Sequence, residues 1–219
     1  MLYIVSTPIG NLKDITIRAI ETLQSVDLIA AEDTRHTKKL CAHYDIKTPL
    51  TSCFEHNQVK KSKELIDTLK NGQNVALVTD AGTPGISDPG YPLIQAAIKE
   101  GIEITVIPGA TACIAALSLS GLPSDHFTFE GFLPAKSAAR KKVFEKIKPL
   151  EGTFIFYESP YRIVDSLEDI SAVLDNPFVV CVREITKKFE EVKRGTAAEL
   201  VEHFAKHPPK GEFVLLLHR

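Results

Sequence analysis

Short, apolar, β-prone runs recur through the first half of the chain at Leu2–Val5, Leu28–Ala31, Leu50–Phe54, Val75–Val78 and Ile102–Ile107, separated by amphipathic stretches long enough for a crossover helix. Parallel strands cannot be joined by tight turns, so this alternation points to a parallel sheet with helices on its faces. Ile17, Ile20 and Leu23 share helical spacing, as do Leu65, Ile66 and Leu69 within 62–70, and mark the stripes that pack on that sheet. After 127–133 (FTFEGFL) come Pro134 and a polar, basic segment; the pattern then restarts with 154–157 and 178–182 and closes with the strand-like 211–217 (GEFVLLL). The expected fold class is therefore α/β, with two αβα domains, residues 1–133 and 134–219, the first built on a parallel sheet.

Bulk properties fit this reading. A chain of 219 residues with 44% hydrophobic and 25% charged content can bury a sizeable core. No apolar stretch reaches membrane-spanning length and the first ten residues, MLYIVSTPIG, turn polar at once, so a cytoplasmic protein with no membrane contact is expected. Cys41, Cys53, Cys113 and Cys181 are far apart without a CxxC pair, which suggests buried reduced thiols rather than a zinc site or disulfide framework, and no metal is expected. A formal charge of −2 offers no global attraction to nucleic acid, so a polyanion would need a local basic face.

Polar residues gather where the strands end: 6–12 (STPIGNL), 31–36 (AEDTRH), 55–57 (EHN), 79–90 (TDAGTPGISDPG) and 108–111 (PGAT). Each alone could be a cap or a turn, but in an open α/β sheet ligands bind outside the carboxyl ends of the strands, and five such ends together outline one cleft. The 79–90 segment is the most telling, because Gly82, Gly85 and Gly90 allow close backbone approach while Pro84 and Pro89 stiffen the loop. The loop after the first strand holds only Gly10 and no GxGxxG, which argues against a dinucleotide-binding oxidoreductase, and no P-loop occurs.

These strings, with FYESPYR at 156–162, resemble the 16S ribosomal RNA methyltransferase branch of the tetrapyrrole methylase superfamily over essentially the whole chain. DAGTPGISDPG is the specific part. The resemblance implies S-adenosylmethionine bound in a cleft between the two domains, methylation of a cytidine ribose 2′-hydroxyl in 16S rRNA of the small ribosomal subunit, and a homodimer. By the same resemblance Pro8, Gly10, Asp80, Ala81, Gly82, Thr83, Ile86, Thr111 and Ala112 line the cofactor site, with Phe132, Leu133, Tyr157 and Ile185 contributed from the later part of the chain. Relatives of this branch commonly continue past the equivalent of GEFVLLL into a helical extension; with the sequence ending at Arg219, RNA contacts of such an extension are expected from elsewhere.

A ribose hydroxyl is a poor nucleophile at neutral pH and calls for a proton acceptor or a nearby positive charge. Arg35, Glu55 and His56, at the second and third strand ends, are the candidates: Glu55 or His56 as proton acceptor, Arg35 as the group that orients RNA. Glu32 and Asp33 are further carboxylates at the same ends. Basic residues Lys136, Arg140, Lys141, Lys142, Lys146 and Lys148 crowd one helix and could form a phosphate-binding face or a solvated one; Lys187, Lys188, Lys193 and Arg194 form a second cluster of mixed sign. Tyr91, Tyr157 and Tyr161 lie near strand ends, where an aromatic could stack an unpaired base or simply pack. Two other functions fit the same residues: methylation of a small tetrapyrrole, and a noncatalytic ribosome-associated protein that keeps the cofactor pocket. AEDTR and EHN favour the RNA enzyme.

Overall fold

A computed structural model describes all 219 residues, Met1–Arg219, as two compact units, Met1–Thr111 and Ala112–Arg219. In the first, β1 (Leu2–Val5), β2 (Leu28–Ala31), β3 (Leu50–Ser52), β4 (Val75–Val78) and β5 (Ile104–Ile107) form an all-parallel sheet in the order β3-β2-β4-β1-β5. Strand residues alternate between faces, so Val5, Ile29, Ala31, Ala76, Val78 and Ile107 meet helices α1 (Ile17–Ser25) and α2 (Thr34–His43) on one side. Leu2, Ile4, Ala30, Val75 and Leu77 meet α3 (Gln58–Lys70) and α4 (Tyr91–Lys99) on the other. The near-continuous apolar strands reflect this burial on both faces.

The second unit opens with α5 (Ala112–Ser120) and contains β6 (Phe127–Phe132), α6 (Ser137–Ile147), β7 (Thr153–Glu158), α7 (Ile163–Val173), β8 (Phe178–Arg183), β9 (Glu191–Thr196), α8 (Ala197–Lys206) and β10 (Phe213–His218). Its sheet, ordered β6-β7-β10-β8-β9, is mixed: β6 and β7 are parallel, and β10 pairs antiparallel with both β7 and β8. α5 covers one face against Ile155, Val180, Val182, Val214 and Leu216, while α6, α7 and α8 cover the other.

The division between units falls at Thr111/Ala112, earlier than the boundary expected at Pro134. The reason is pairing: β6 bonds to β7, and α5 packs on β7, β8 and β10, so residues 112–133 belong to the second core. The polar strand β9 (EVKRGT) was not legible as a strand; it is an edge held by β8 on one side only, so it needs no apolar run.

The two basic clusters also resolve differently from expectation. Arg140 does not face solvent: it is 2% exposed and forms an ion pair with Asp169 at 2.6 Å, its guanidinium also donating to the carbonyls of Pro134 and Ala135. A buried guanidinium holds its place only when its donors are matched, and Asp169 lies on α7, the helix α6 packs against. Lys141 also approaches Asp169, and Lys148 pairs with Asp175. In the second cluster Lys187 is clamped by Glu184 and Glu212, Lys193 meets Glu191, and Arg194 donates to the carbonyls of Leu119 and Ser120. All four cysteines are buried and free, no helix is long and apolar enough to cross a membrane, and no group of three or more His, Cys, Asp or Glu is arranged to hold a metal ion.

Candidate functional site

A parallel sheet sends every strand out on the same side, so the segments following Val5, Ala31, Ser52, Val78 and Ile107 share one edge of the first unit, with β4 between β1 and β2. There the loop after β4 folds back onto the exit of β1. Thr7 N–H donates to the Gly82 carbonyl at 2.8 Å, Gly82 N–H returns the bond to Thr7 at 3.2 Å, and the Thr7 hydroxyl donates to the Thr79 carbonyl at 3.0 Å. Gly82 sits at φ 91°, a left-handed conformation that favours glycine. Next to it Ser6 Oγ and Thr83 Oγ1 are 2.8 Å apart, and Thr83 Oγ1 reaches Thr111 Oγ1 at 3.4 Å, so a row of hydroxyls spans the ends of β1, β4 and β5. Gly109 keeps this row tight: a Cβ there would lie 2.9 Å from Ser6 Cβ.

The carboxylates form the other half of the edge. Glu32 Oε2 accepts from the Thr79 hydroxyl at 2.5 Å and from Asp80 N–H at 3.2 Å, and Asp80 Oδ1 accepts from Asp33 N–H at 3.1 Å, tying β2's exit to β4's. Burial raises the carboxyl of Asp80, with Glu32 adding to the effect. Burial, reinforced by the negative charge of Glu32, lifts Asp88 to about 6 despite a hydrogen bond from Thr79. Asp33 moves the other way, to about 2, because the Arg35 guanidinium and backbone N–H both donate to it. The edge therefore holds carboxylates of unequal proton affinity within one hydrogen-bonded patch, an arrangement suited to moving a proton near neutral pH.

Of the residues predicted to act on the acceptor, Arg35 lies in the first turn of α2 directly beside this patch, its side chain 89% exposed and its fork gripped by both oxygens of Asp33. Glu55 and His56 lie in an exposed turn between β3 and α3, on the outermost strand of the sheet, with the His56 ring edge-on to Phe54. The structure does not bring them against the Asp80 loop. What does reach that loop from the same segment is Gln58, whose side-chain oxygen accepts from Gly90 N–H at 3.2 Å.

Among the predicted cofactor residues, Pro8, Asp80, Ala81, Gly82, Thr83 and Thr111 fall on the shared edge; Gly10 follows as an exposed residue at φ 146°, and Ile86 is half-exposed at the turn closed by its N–H to the Thr83 carbonyl. In the second unit Ala112 starts α5. Tyr157 packs edge-on to Phe129 and Phe132, and its hydroxyl accepts from Cys113 N–H at 3.2 Å. Ile185, partly buried, packs in the same layer. Leu133 does not: its side chain lies in the core on the opposite face with Phe144 and Phe156, because neighbouring residues of an extended chain point to opposite sides, so only its backbone is available.

Comparison with known proteins decides the family. Residues 1–201 match the model for Tetrapyrrole (Corrin/Porphyrin) Methylases. The chain belongs to that family. It is 53% identical over 216 residues to the Ribosomal RNA small subunit methyltransferase I of Halalkalibacterium halodurans, covering 99% of this chain and 75% of that protein. It is 52% identical over 221 residues to the protein of the same name from Vibrio cholerae, covering 100% and 77%. Among solved structures, a diphthine synthase superposes with a TM-score of 0.76 at 16% identity, over 99% of this chain and 88% of that one, which speaks to the fold alone. The chain is thus a methyltransferase with the methylase family's two-unit α/β fold.

The sequence places Ser6 and Thr79 at the strand ends that outline the cleft without assigning them to the cofactor or the acceptor, and does not single out Gln58 at all. Ser6 and Thr79 each stand one residue past an apolar run, the place where a parallel sheet delivers its side chains to the ligand edge, so strand-end position was the available signal. Gln58 carried none, since its role depends on the course of the loop that it holds.

Proposed function

We propose that this methyltransferase moves the methyl group of S-adenosylmethionine to the 2′-hydroxyl of a cytidine ribose in 16S rRNA of the small ribosomal subunit. The observation that carries the reading is the pair of rRNA methyltransferase relatives sharing about half of all positions over nearly the full chain. In the reaction the ribose oxygen attacks the methyl carbon in line with the departing sulfur from about 3–3.5 Å; the O–C bond forms, the C–S pair stays on sulfur, and the hydroxyl proton passes to a carboxylate or imidazole base.

The turn 80–86, with Pro8, Gly10, Thr111 and Ala112, is assigned to the cofactor, and Phe132, Tyr157, Ile185 and the backbone at Leu133 to its remaining contacts. The Ser6, Thr83 and Thr111 hydroxyls suit the polar tail of the cofactor. Arg35 is assigned to the acceptor phosphate and Glu55 or His56 to the proton, with Asp88 and Glu32 as acceptors already on the shared edge. The protein is assigned to the cytoplasm, as a homodimer.

The test is transfer of labelled methyl from S-adenosylmethionine to small subunits lacking the modification, with the label mapped to base or ribose. Label on a single cytidine ribose is the expected result. Cofactor binding without label on subunits or on free 16S rRNA would overturn the reading and direct attention to tetrapyrrole acceptors. Alanine at Glu55 or His56 with full turnover would remove that residue from the mechanism.

A further inference from the structure

α2 is the one helix with more than one Lys or Arg and no acidic residue: Thr34–His43 reads TRHTKKLCAH. Its buried stripe is Thr37, Leu40 and Cys41, which turns Arg35, His36, Lys38, Lys39 and His43 outward, all exposed. Arg35, Lys39 and His43 follow one another at i,i+4 spacing along the helix, so the like charges of Arg35 and Lys39 are neighbours. Cations in the first turns also oppose the helix dipole, which favours negative charge there.

The protein offsets this arrangement only at its first cation. Arg35 is met by Asp33, but neither Lys38 nor Lys39 forms an ion pair. The other lysine-rich helices carry acidic residues of their own and are partly matched: Lys61 pairs with Glu64 within α3 and Lys70 with Glu100 at the end of α4, while Arg140 and Lys141 of α6 meet Asp169 on α7, leaving Lys142 and Lys146 of that helix unpaired. In a chain of net charge −2, α2 is thus a local cationic face. It also begins where β2 ends, beside Glu32, Asp33 and Asp80.

We propose that the solvent face of α2 is the phosphate track that seats the RNA acceptor at this edge, with Lys38 and Lys39 as its main contacts. This rests on the RNA reading above and adds where on the protein the backbone of the strand runs. Phosphates bound along the helix relieve the repulsion among Arg35, Lys38 and Lys39 and release counterions, so the contact is salt-dependent and indifferent to base sequence.

The experiment compares Lys38→Gln/Lys39→Gln with Lys142→Gln/Lys146→Gln on α6, titrating each and the unaltered protein with protein-free 16S rRNA between about 50 and 200 mM salt. The α2 variant is expected to bind about tenfold more weakly at the low end, with the slope of log affinity against log salt shallower by roughly 1.4 to 1.8. Its unfolding midpoint and its affinity for S-adenosylmethionine are expected to stay unchanged, and the α6 variant to keep the full slope. An unchanged slope in the α2 variant, or an equal loss in the α6 variant, overturns the proposal while the RNA reading stands. A defect confined to assembled subunits also overturns it, in favour of a ribosomal protein as partner of this face. Absence of RNA binding and methylation by the unaltered protein overturns both.

Discussion

Each unit of this protein contains an arginine–aspartate pair of nearly the same length, and the two do opposite things. Arg35 meets Asp33 at 2.7 Å in the open, with the arginine side chain 89% exposed; Arg140 meets Asp169 at 2.6 Å with side chains 2% and 8% exposed. In water such a pair is screened and replaceable, so Arg35 is free to exchange its carboxylate for a phosphate. In the core the pair cannot be given up, because either partner left alone is an unmatched buried charge. Identical chemistry is an exchangeable surface contact in one place and a structural clamp in the other, and burial alone separates them.

Breaking the buried pair has the largest expected effect. Arg140→Ala should cost about 3–5 kcal/mol of stability, read as a fall in the denaturant midpoint of the second unit, because Asp169 keeps only Ser137 and the more distant Lys141. Replacing both partners, Arg140→Met with Asp169→Leu, should recover most of that loss, and failure to do so would show that Asp169 is needed for Ser137 rather than for the pair. Breaking the exposed pair should do the reverse: Arg35→Ala leaves the unfolding midpoint unchanged while methyl transfer to RNA drops about tenfold or more. Equal losses of stability in the two variants would dissolve the contrast.

The contrast sharpens at Asp88, a carboxyl whose proton affinity the fold raises instead of lowering. With a folded value of about 6 against 3.8 for the free side chain, the native state holds the proton more tightly than the unfolded one, so stability falls as pH climbs from about 4 to 6 and stays reduced above. Asp88→Asn should remove that penalty, raising stability at pH 8 by on the order of 1 kcal/mol and leaving it unchanged near pH 4. Thermal unfolding at the two pH values measures it. The smallest effect is expected at Thr83→Val, which deletes the central hydroxyl of the Ser6, Thr83, Thr111 row and should weaken S-adenosylmethionine binding about two- to fivefold by calorimetry, without altering the fold.

Much of the frame was legible because it rests on local rules. β1, β2 and β4 carry uninterrupted apolar runs, being buried on both faces, and their limits agree with those read from the chain. β5 begins two residues later than its apolar run because Ile102 N–H closes the end of α4 on Ala97 instead of joining the sheet. The candidate site was legible where glycine and proline density betrays a constrained loop, as at 79–90. It was not legible where function depends on which way a helix turns. Nothing in the spacing of the 136–148 segment says that Arg140 points inward, since its partner Asp169 lies far along the chain on another helix. The cationic face of α2 was equally hidden, since it emerges only once Thr37, Leu40 and Cys41 are known to be the buried side.

The reciprocal bonds between Thr7 and Gly82 bear on time as well as geometry. A loop joined to the exit of β1 by two peptide hydrogen bonds and a threonine hydroxyl is held at three points. Its order is therefore present before any ligand arrives, and little conformational entropy is left to lose on binding. The Thr7 and Gly82 amides should exchange with solvent as slowly as those of β1 itself in the free protein, and the methyl donor should meet a surface already set, so that its capture is governed by encounter rather than by closure of a lid.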